Sequence, residues 1–283
     1  MKTISGVRDI CDSYDVFILD VWGVLYDGLS VFPTVNDCLQ KIKARSKHIA
    51  LLTNASRSES LIYKFLADSR LDTSCLTFIQ TSGDAAITAI LNFFAADPSK
   101  RLYHLSFGTN KSPFSDTAIQ LTDDVMQADA IAISSNIEEG DSDAEIMEVL
   151  HKAASRKLPM FCLNGDRIAL RGRTKILCAG FFADKYTNEL GGEARFYGKP
   201  YKSVYDRVFE RLDALGLGPK RVMIGDSMDT DILGAKNAAI DSTLVKTGLS
   251  ARELEKTLGA LWFDKMQAKY GFLPTYLCDE FRW

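Results

Sequence analysis

Short, wholly apolar runs alternate along the chain with stretches whose apolar residues recur every three or four positions. Residues 15–20 set Val-Phe-Ile-Leu between two aspartates, and residues 48–53 read His-Ile-Ala-Leu-Leu-Thr. Runs this short and apolar predict strands buried on both faces. Between them, Val35, Cys38, Leu39 and Ile42 share one face of a helix expected over 33–45. A second helix is expected over 58–67. The same patterns predict further strands over 130–134, 160–163, 221–224 and 242–245, with helices over 142–156, 203–215, 230–238 and 251–270. Strands alternating with helices predict an α/β fold, a parallel sheet covered on both faces. Ligands of such sheets gather beyond the carboxyl ends of the strands, so chemistry is expected in the residues that follow each strand.

Composition narrows the function classes. With 283 residues the chain is long enough for two modest domains or one large one. Its 46% apolar and 25% charged residues are those of an ordinary soluble globular protein. A formal charge of −3 gives no electrostatic reason to expect nucleic acid as a partner. No apolar run approaches the ~20 residues of a membrane helix. The first fifteen residues lack the continuous apolar core of a secretory signal, so a cytoplasmic protein is expected. Cys11, Cys38, Cys75, Cys162, Cys178 and Cys278 form no CxxC pair and sit mostly in apolar runs. They are expected to be buried thiols rather than zinc ligands or disulfides.

Four strand ends carry candidate chemistry, each with a plainer alternative. Asp20 closes the first strand and is followed by Val21-Trp22-Gly23; it presents a carboxylate to a cleft, or begins a turn. Thr53-Asn54-Ala55-Ser56 offers hydroxyl, amide and backbone N–H groups suited to an anion, or a simple helix cap. Lys199 lies between Gly198 and Pro200, as a phosphate-binding point charge or a solvated side chain. Gly225-Asp226-Ser227-Met228-Asp229-Thr230-Asp231 gathers acids at a helix start, where they complement the dipole or supply hard oxygen ligands for Mg²⁺. The metal reading is the better one for Asp226, because it follows glycine directly at the strand's end.

The order of these pieces resembles the haloacid dehalogenase-like (HAD) superfamily. Its four motifs correspond to DVWGVLYDG, LLTN, YGKP and IGDSMDTDILGAKNAAIDSTLV. The last is similar to the class IIA branch of sugar-phosphate, nucleotide and pyridoxal-phosphate phosphatases, as are Thr81-Ser82, Asn164-Gly165-Asp166 and the long insert between the second and third motifs. The resemblance implies a doubly wound, parallel-sheet Rossmann-like core over 1–83 and 194–283, with an inserted α/β cap domain over 84–193. It implies that Asp20 is a nucleophile forming an aspartyl-phosphate, with Thr53 and Asn54 binding the phosphoryl group. Lys199 then pairs with Asp20 and the phosphate. Asp20, the backbone carbonyl of Trp22, Asp226 and Asp231 hold Mg²⁺, the last through water. A carboxylate attacking a dianionic phosphate needs its charge screened, and a metal with one lysine does that.

One position departs from that pattern. Phosphatases of this superfamily carry a second aspartate two residues after the nucleophile, as general acid and base; here the residue is Trp22. An indole N–H donates only and transfers no proton near neutral pH. General acid–base help is worth ~10²–10⁴-fold, so alkyl phosphates are expected to react slowly while aryl and acyl phosphates persist. Asp27, in the following flap, is a candidate substitute. The expected activity is thus a Mg²⁺-dependent phosphatase of a small phosphorylated metabolite. A catalytically weak phosphometabolite-binding protein is the alternative, and a phosphotransferase or C–P bond hydrolase is a third reading.

In the insert, a helix over 84–95 and strands over 101–107 and 129–134 are expected, with the acidic loop 138–143 as a solvated turn and helix cap. Asn164 and Asp166 follow a strand and are candidates for binding the substrate's polar end. Arg167, Arg171 and Arg173 are either contacts for a second anionic group or surface charges. His48, His104 and His151 are isolated and carry no expected chemistry. A cap over a core implies opening and closing around the substrate, and one face of the cap could support a homodimer.

Overall fold

The computed structural model describes residues 1–106, 113–114, 117–255 and 260–283. Seven parallel strands form one sheet in the order Lys2–Thr3, Tyr276–Cys278, Asp241–Val245, Arg221–Gly225, Val16–Leu19, His48–Thr53, Phe78–Thr81. Val16–Leu19 is central and fully buried, as an all-apolar tetrad requires. Alternate side chains feed two cores. Phe17, Leu19, Ile49 and Leu51 pack with Leu39 and Ile42 of the helix Val35–Ala44. Val16, Ile18, Ala50 and Leu52 pack with Val204, Tyr205 and Val208 of the helix Lys202–Ala214. Register brings Leu19 level with Ile224 and Leu51, and Thr53 level with Thr81, so the strands end along one rim.

A second parallel sheet comes wholly from the chain between Phe78–Thr81 and Arg221–Gly225. Its order is Ala194–Phe196, Met160–Cys162, Ala130–Ile133, Arg101–Leu105, Gln120–Thr122. The helices Ala144–Ser155 and Ala179–Asn188 bury Leu150, Phe182 and Tyr186 on one face, and Ser82–Phe94 buries Ile90 and Phe94 on the other. The architecture is therefore the expected α/β one, a doubly wound core interrupted by a second α/β layer.

An antiparallel hairpin, Ile168–Arg171 with Thr174–Leu177, was not predicted from the pattern; its second strand also pairs with Ile137–Glu138. The hairpin tip rests on the segment that follows Val16–Leu19. Gly172 N–H donates to the carbonyl of Asp27 at 2.9 Å. A Cβ on Gly28, whose φ is +95°, would lie 2.6 Å from the Arg171 Cα, so only glycine permits this approach.

Several boundaries differ from the pattern's prediction. Of the helix expected over 251–270, the described parts are helical as Gly248–Glu255 and Ala260–Tyr270, and residues 256–259 lie outside the described residues. That expected over 230–238 opens with a π-helical turn, Met228–Ile232, because the N–H groups of Asp231 and Ile232 both reach the Ser227 carbonyl. The strand expected over 101–107 is Arg101–Leu105, and Phe107 lies outside the described residues. In the acidic loop, Asp143 does not cap its helix; its carboxylate meets Lys185 at 3.2 Å instead. All six cysteines are buried and free. Among the described residues no helix is long and apolar enough to cross a membrane.

Candidate active site

Three carboxylates converge at the rim. Asp20 leaves the central strand, where its N–H donates to the Ile224 carbonyl at 2.9 Å. Asp226 follows the neighbouring strand, and Asp231 returns on the π-helical turn. One oxygen from each lies within 4.8 Å of the others, and all three are buried. The surrounding backbone leaves little room. A Cβ on Gly23 or Gly248, both at positive φ, would lie 2.1 or 2.0 Å from Asp226 Oδ2. That oxygen accepts the Leu249 N–H at 2.7 Å, and Asp231 Oδ2 accepts the Ser227 N–H at 3.1 Å.

Lys199 is the counter-charge. Its Nζ lies 2.6 Å from Asp20 Oδ1 and 2.7 Å from Asp231 Oδ1, and its side chain is 2% exposed. The second contact is an ion pair by distance without hydrogen-bond alignment. Burial works against the ammonium, but Asp20 and Asp231 outweigh it and leave the lysine above its ordinary value. Burial also pushes Asp20 up to about 7 against the pull of Lys199, with Asp231 adding to the rise. Asp226 is raised well above the usual carboxylate range, by burial first and then by Asp231 and Asp20. Three buried acids facing one lysine are short of positive charge. Hard oxygens in this number and spacing suit Mg²⁺, and the residues fit that ion.

The second strand end supports Lys199. Thr53 and Asn54 are buried, and the Ala55 N–H donates to Thr53 Oγ1 at 3.2 Å. Asn54 Oδ1 accepts the Lys199 N–H at 2.7 Å, and Asn54 Nδ2 donates to the Lys199 carbonyl at 3.0 Å and to Asp166 Oδ1 at 2.8 Å. Gly198 makes this possible: its φ is +97°, and a Cβ there would lie 2.2 Å from Asn54 Oδ1. Asn164 Oδ1 accepts the Asp166 N–H at 2.8 Å. Asp166 is enclosed by protein yet keeps a face on the cavity, and burial raises its carboxyl. Ser82 Oγ lies within hydrogen-bond reach of the Leu163 and Tyr197 carbonyls, joining the same two turns.

The residues singled out from the sequence thus meet in one place: Asp20, Thr53, Asn54, Asn164, Asp166, Lys199, Asp226 and Asp231. Two adjoining cavities of about 340 and 160 Å³ both reach Asp20, Trp22 and Asp166. Trp22 is half-buried, stacks on Phe65 at 5.9 Å with 9° between the planes, and meets Tyr26 edge-on. It is both a packing residue and a cavity wall. Asp27 reaches the larger cavity, but its Oδ1 accepts the N–H groups of Leu29 and Ser30, each at 2.7 Å. These bonds make Asp27 a turn residue. Of the three insert arginines singled out from the sequence, Arg167 is held bidentately by Asp184 at 2.9 and 3.1 Å, Arg171 meets Glu138 at 3.3 Å, and Arg173 is exposed.

Sequence reasoning passed over Arg57, which lines the smaller cavity beside Asp20 and Thr53. Its guanidinium carbon lies 5.4 Å from the Phe65 ring centroid. Its place three residues after Asn54 was the one available signal.

The chain is similar to known proteins in sequence and in fold. The sequence model described as haloacid dehalogenase-like hydrolase matches residues 17–116, and that described as HAD-hydrolase-like matches residues 196–281. Over 116 residues the chain is 31% identical to the glycerol-3-phosphate phosphatase of Gallus gallus, covering 41% of this chain and 35% of that protein. The match thus spans about a third of the curated relative's length. A haloacid dehalogenase-like hydrolase from Brucella suis 1330 superposes with a TM-score of 0.82 at 24% identity, over 98% of this chain and 99% of its own. The glycerol phosphate phosphatase of Mycobacterium tuberculosis, in complex with magnesium, superposes with a TM-score of 0.67 at 18% identity, over 99% and 78%. At these identities the superpositions establish the fold.

Proposed function

We propose that this chain, a member of the haloacid dehalogenase-like hydrolases, is a Mg²⁺-dependent phosphatase of a small phosphorylated metabolite, with Asp20 as nucleophile. The observation that carries the reading is Lys199 set between Asp20 and Asp231, with Asp226 in the same cluster, at the floor of a cavity. An Asp20 oxygen attacks phosphorus, the P–O bond to the leaving group breaks, and an aspartyl-phosphate forms; water then releases phosphate and restores Asp20. Lys199 offsets the repulsion between carboxylate and phosphoryl group. Thr53 and the N–H groups after it orient that group. Asp20, Asp226, Asp231 and the Trp22 carbonyl would hold the ion, which when bound neutralises phosphoryl charge. Asn164 and Asp166 face the substrate's polar end from the cap, taken as residues 84–193.

Proton transfer to the leaving oxygen is the weak step. Trp22 has no proton to give, and Asp27 is engaged in its turn. Substrates whose leaving groups need little protonation, such as aryl and acyl phosphates, are therefore favoured over alkyl phosphates. The same tryptophan supports a second reading, a phosphometabolite-binding protein with little turnover. Phosphate release from a broad metabolite panel with Mg²⁺, with and without Asp20→Asn, separates the two. Release that Asp20→Asn abolishes is expected; equal slow release from both proteins overturns the enzyme reading.

A further inference from the structure

Around the candidate site the buried or half-buried cations other than Arg57 have polar partners: Arg252 donates to the Arg173 carbonyl, and others face carboxylates. Lys199 faces Asp20 and Asp231, and Arg167 faces Asp184. Arg57 is half-buried, and among the described residues no carboxylate offsets its burial, which alone depresses its pKa. Its contact is with the Phe65 ring, and Phe65 in turn stacks on Trp22. The guanidinium is thus a fixed, uncompensated charge in the cavity wall near Asp20, Thr53 and Asn164. Burying a charge without a partner costs stability, and a planar guanidinium suits bidentate contact with a carboxylate or phosphate.

We propose that Arg57 is a subsite for a second anionic group, so that the preferred substrates are phosphate monoesters that also carry a carboxylate or a second phosphate. This deepens the phosphatase reading and rests on it for the placement of the phosphoryl group. The phosphoryl charge is already met at the floor by Lys199 and the metal site, which leaves Arg57 for another anion. Asp166 also faces this cavity, fixed by Asn54 at 2.8 Å. Its negative charge disfavours an anion on the cap side and leaves the Phe65 side as the seat.

Matched substrates test the subsite on the Mg²⁺-loaded full chain. One pair is 3-phosphoglycerate against glycerol 3-phosphate; the other is fructose 1,6-bisphosphate against fructose 6-phosphate. The first pair reports a carboxylate, the second a phosphate. Wild type is expected to prefer the doubly anionic member of at least one pair. A charge-assisted contact predicts that Arg57→Ala lowers kcat/KM for that member roughly 10- to 100-fold, through KM, and for the other member less than about threefold. Arg57→Lys should keep part of the preference, which guards against loss of fold in the alanine variant. Equal losses on both members would mean that Arg57 serves the phosphoryl group and would overturn the proposal, as would hydrolysis without preference. Calorimetric titration of the same compounds needs no turnover. If no ester is hydrolysed but wild type binds 3-phosphoglycerate more tightly than glycerol 3-phosphate, and Arg57→Ala removes the difference, the phosphatase reading fails and the subsite stands.

Discussion

Asn54 and Asp166, 112 residues apart in sequence, are joined by a 2.8 Å hydrogen bond from Asn54 Nδ2 to Asp166 Oδ1. The same amide brackets Lys199 through its N–H and carbonyl. One side chain therefore ties the end of a core strand both to Lys199 and to the inserted layer. Asn54→Ala leaves the buried Lys199 N–H and carbonyl unpaired and takes the amide donor from Asp166. A loss of about 2–4 kcal/mol in denaturant unfolding is expected, together with a fall in turnover. Full activity in a stably folded variant would show that Lys199 is held by other means.

Trp22→Asp restores a proton-transferring group at the wall of the cavity. Turnover of alkyl phosphates should rise about 10- to 100-fold relative to aryl phosphates if proton transfer limits the wild type. The stack on Phe65 is lost, which costs stability of order 1 kcal/mol. Parallel Brønsted plots over leaving groups make the comparison, and unchanged slopes would remove proton transfer as the bottleneck. Asp27→Asn keeps the turn's acceptor and is expected to leave turnover unchanged.

Metal removal should be felt as a loss of stability, because three buried carboxylates then share one lysine. Binding at a hundredfold excess over Kd stabilises by about 2.7 kcal/mol. Melting temperature in EDTA against saturating Mg²⁺ measures this. Asp226→Asn removes one charge, so its metal-free form should melt no lower than metal-free wild type, while its response to Mg²⁺ largely disappears.

His104 provides a pH signature in the insert. Burial lowers its pKa from 6.5 to about 4, and the ring sits 2.8 Å from Ser134 Oγ. The unfolded chain takes up the proton first as pH falls. Stability is therefore full above 6.5 and lost on descent toward 4, by roughly 3 kcal/mol in all. Urea unfolding of wild type and His104→Gln across this window should show a steeper loss in wild type; identical slopes would assign the acid sensitivity elsewhere.

The central strands and the ends that carry Asp20, Thr53 and Asp226 were legible because three or four consecutive apolar residues bounded by acid, threonine or glycine leave few alternatives. The helix Val35–Ala44 was equally plain from its stripe. The hairpin Ile168–Arg171 with Thr174–Leu177 was not, because its strands are short, half-exposed and mixed in polarity. Lys199 was legible as a candidate only through its Gly-Pro frame; its two carboxylate partners come from distant turns. Arg57 gave no local signal beyond its place three residues after Asn54; what sets it apart is the lack of a counter-charge among the described residues in three dimensions. Asp27 was misleading for the opposite reason: an acid before glycine reads alike as a catalytic group and as a turn, and its two N–H donors decide for the turn.

The contact between Gly172 and Asp27 closes one edge of the cavity. With the hairpin tip seated against Gly28 and Arg171 at backbone distance, the route over this edge is shut while the seam holds. Admission of reactant and escape of product by that route require the two backbones to part. Gly28 and Gly172, neither of them part of the carboxylate cluster, are what let that seam close.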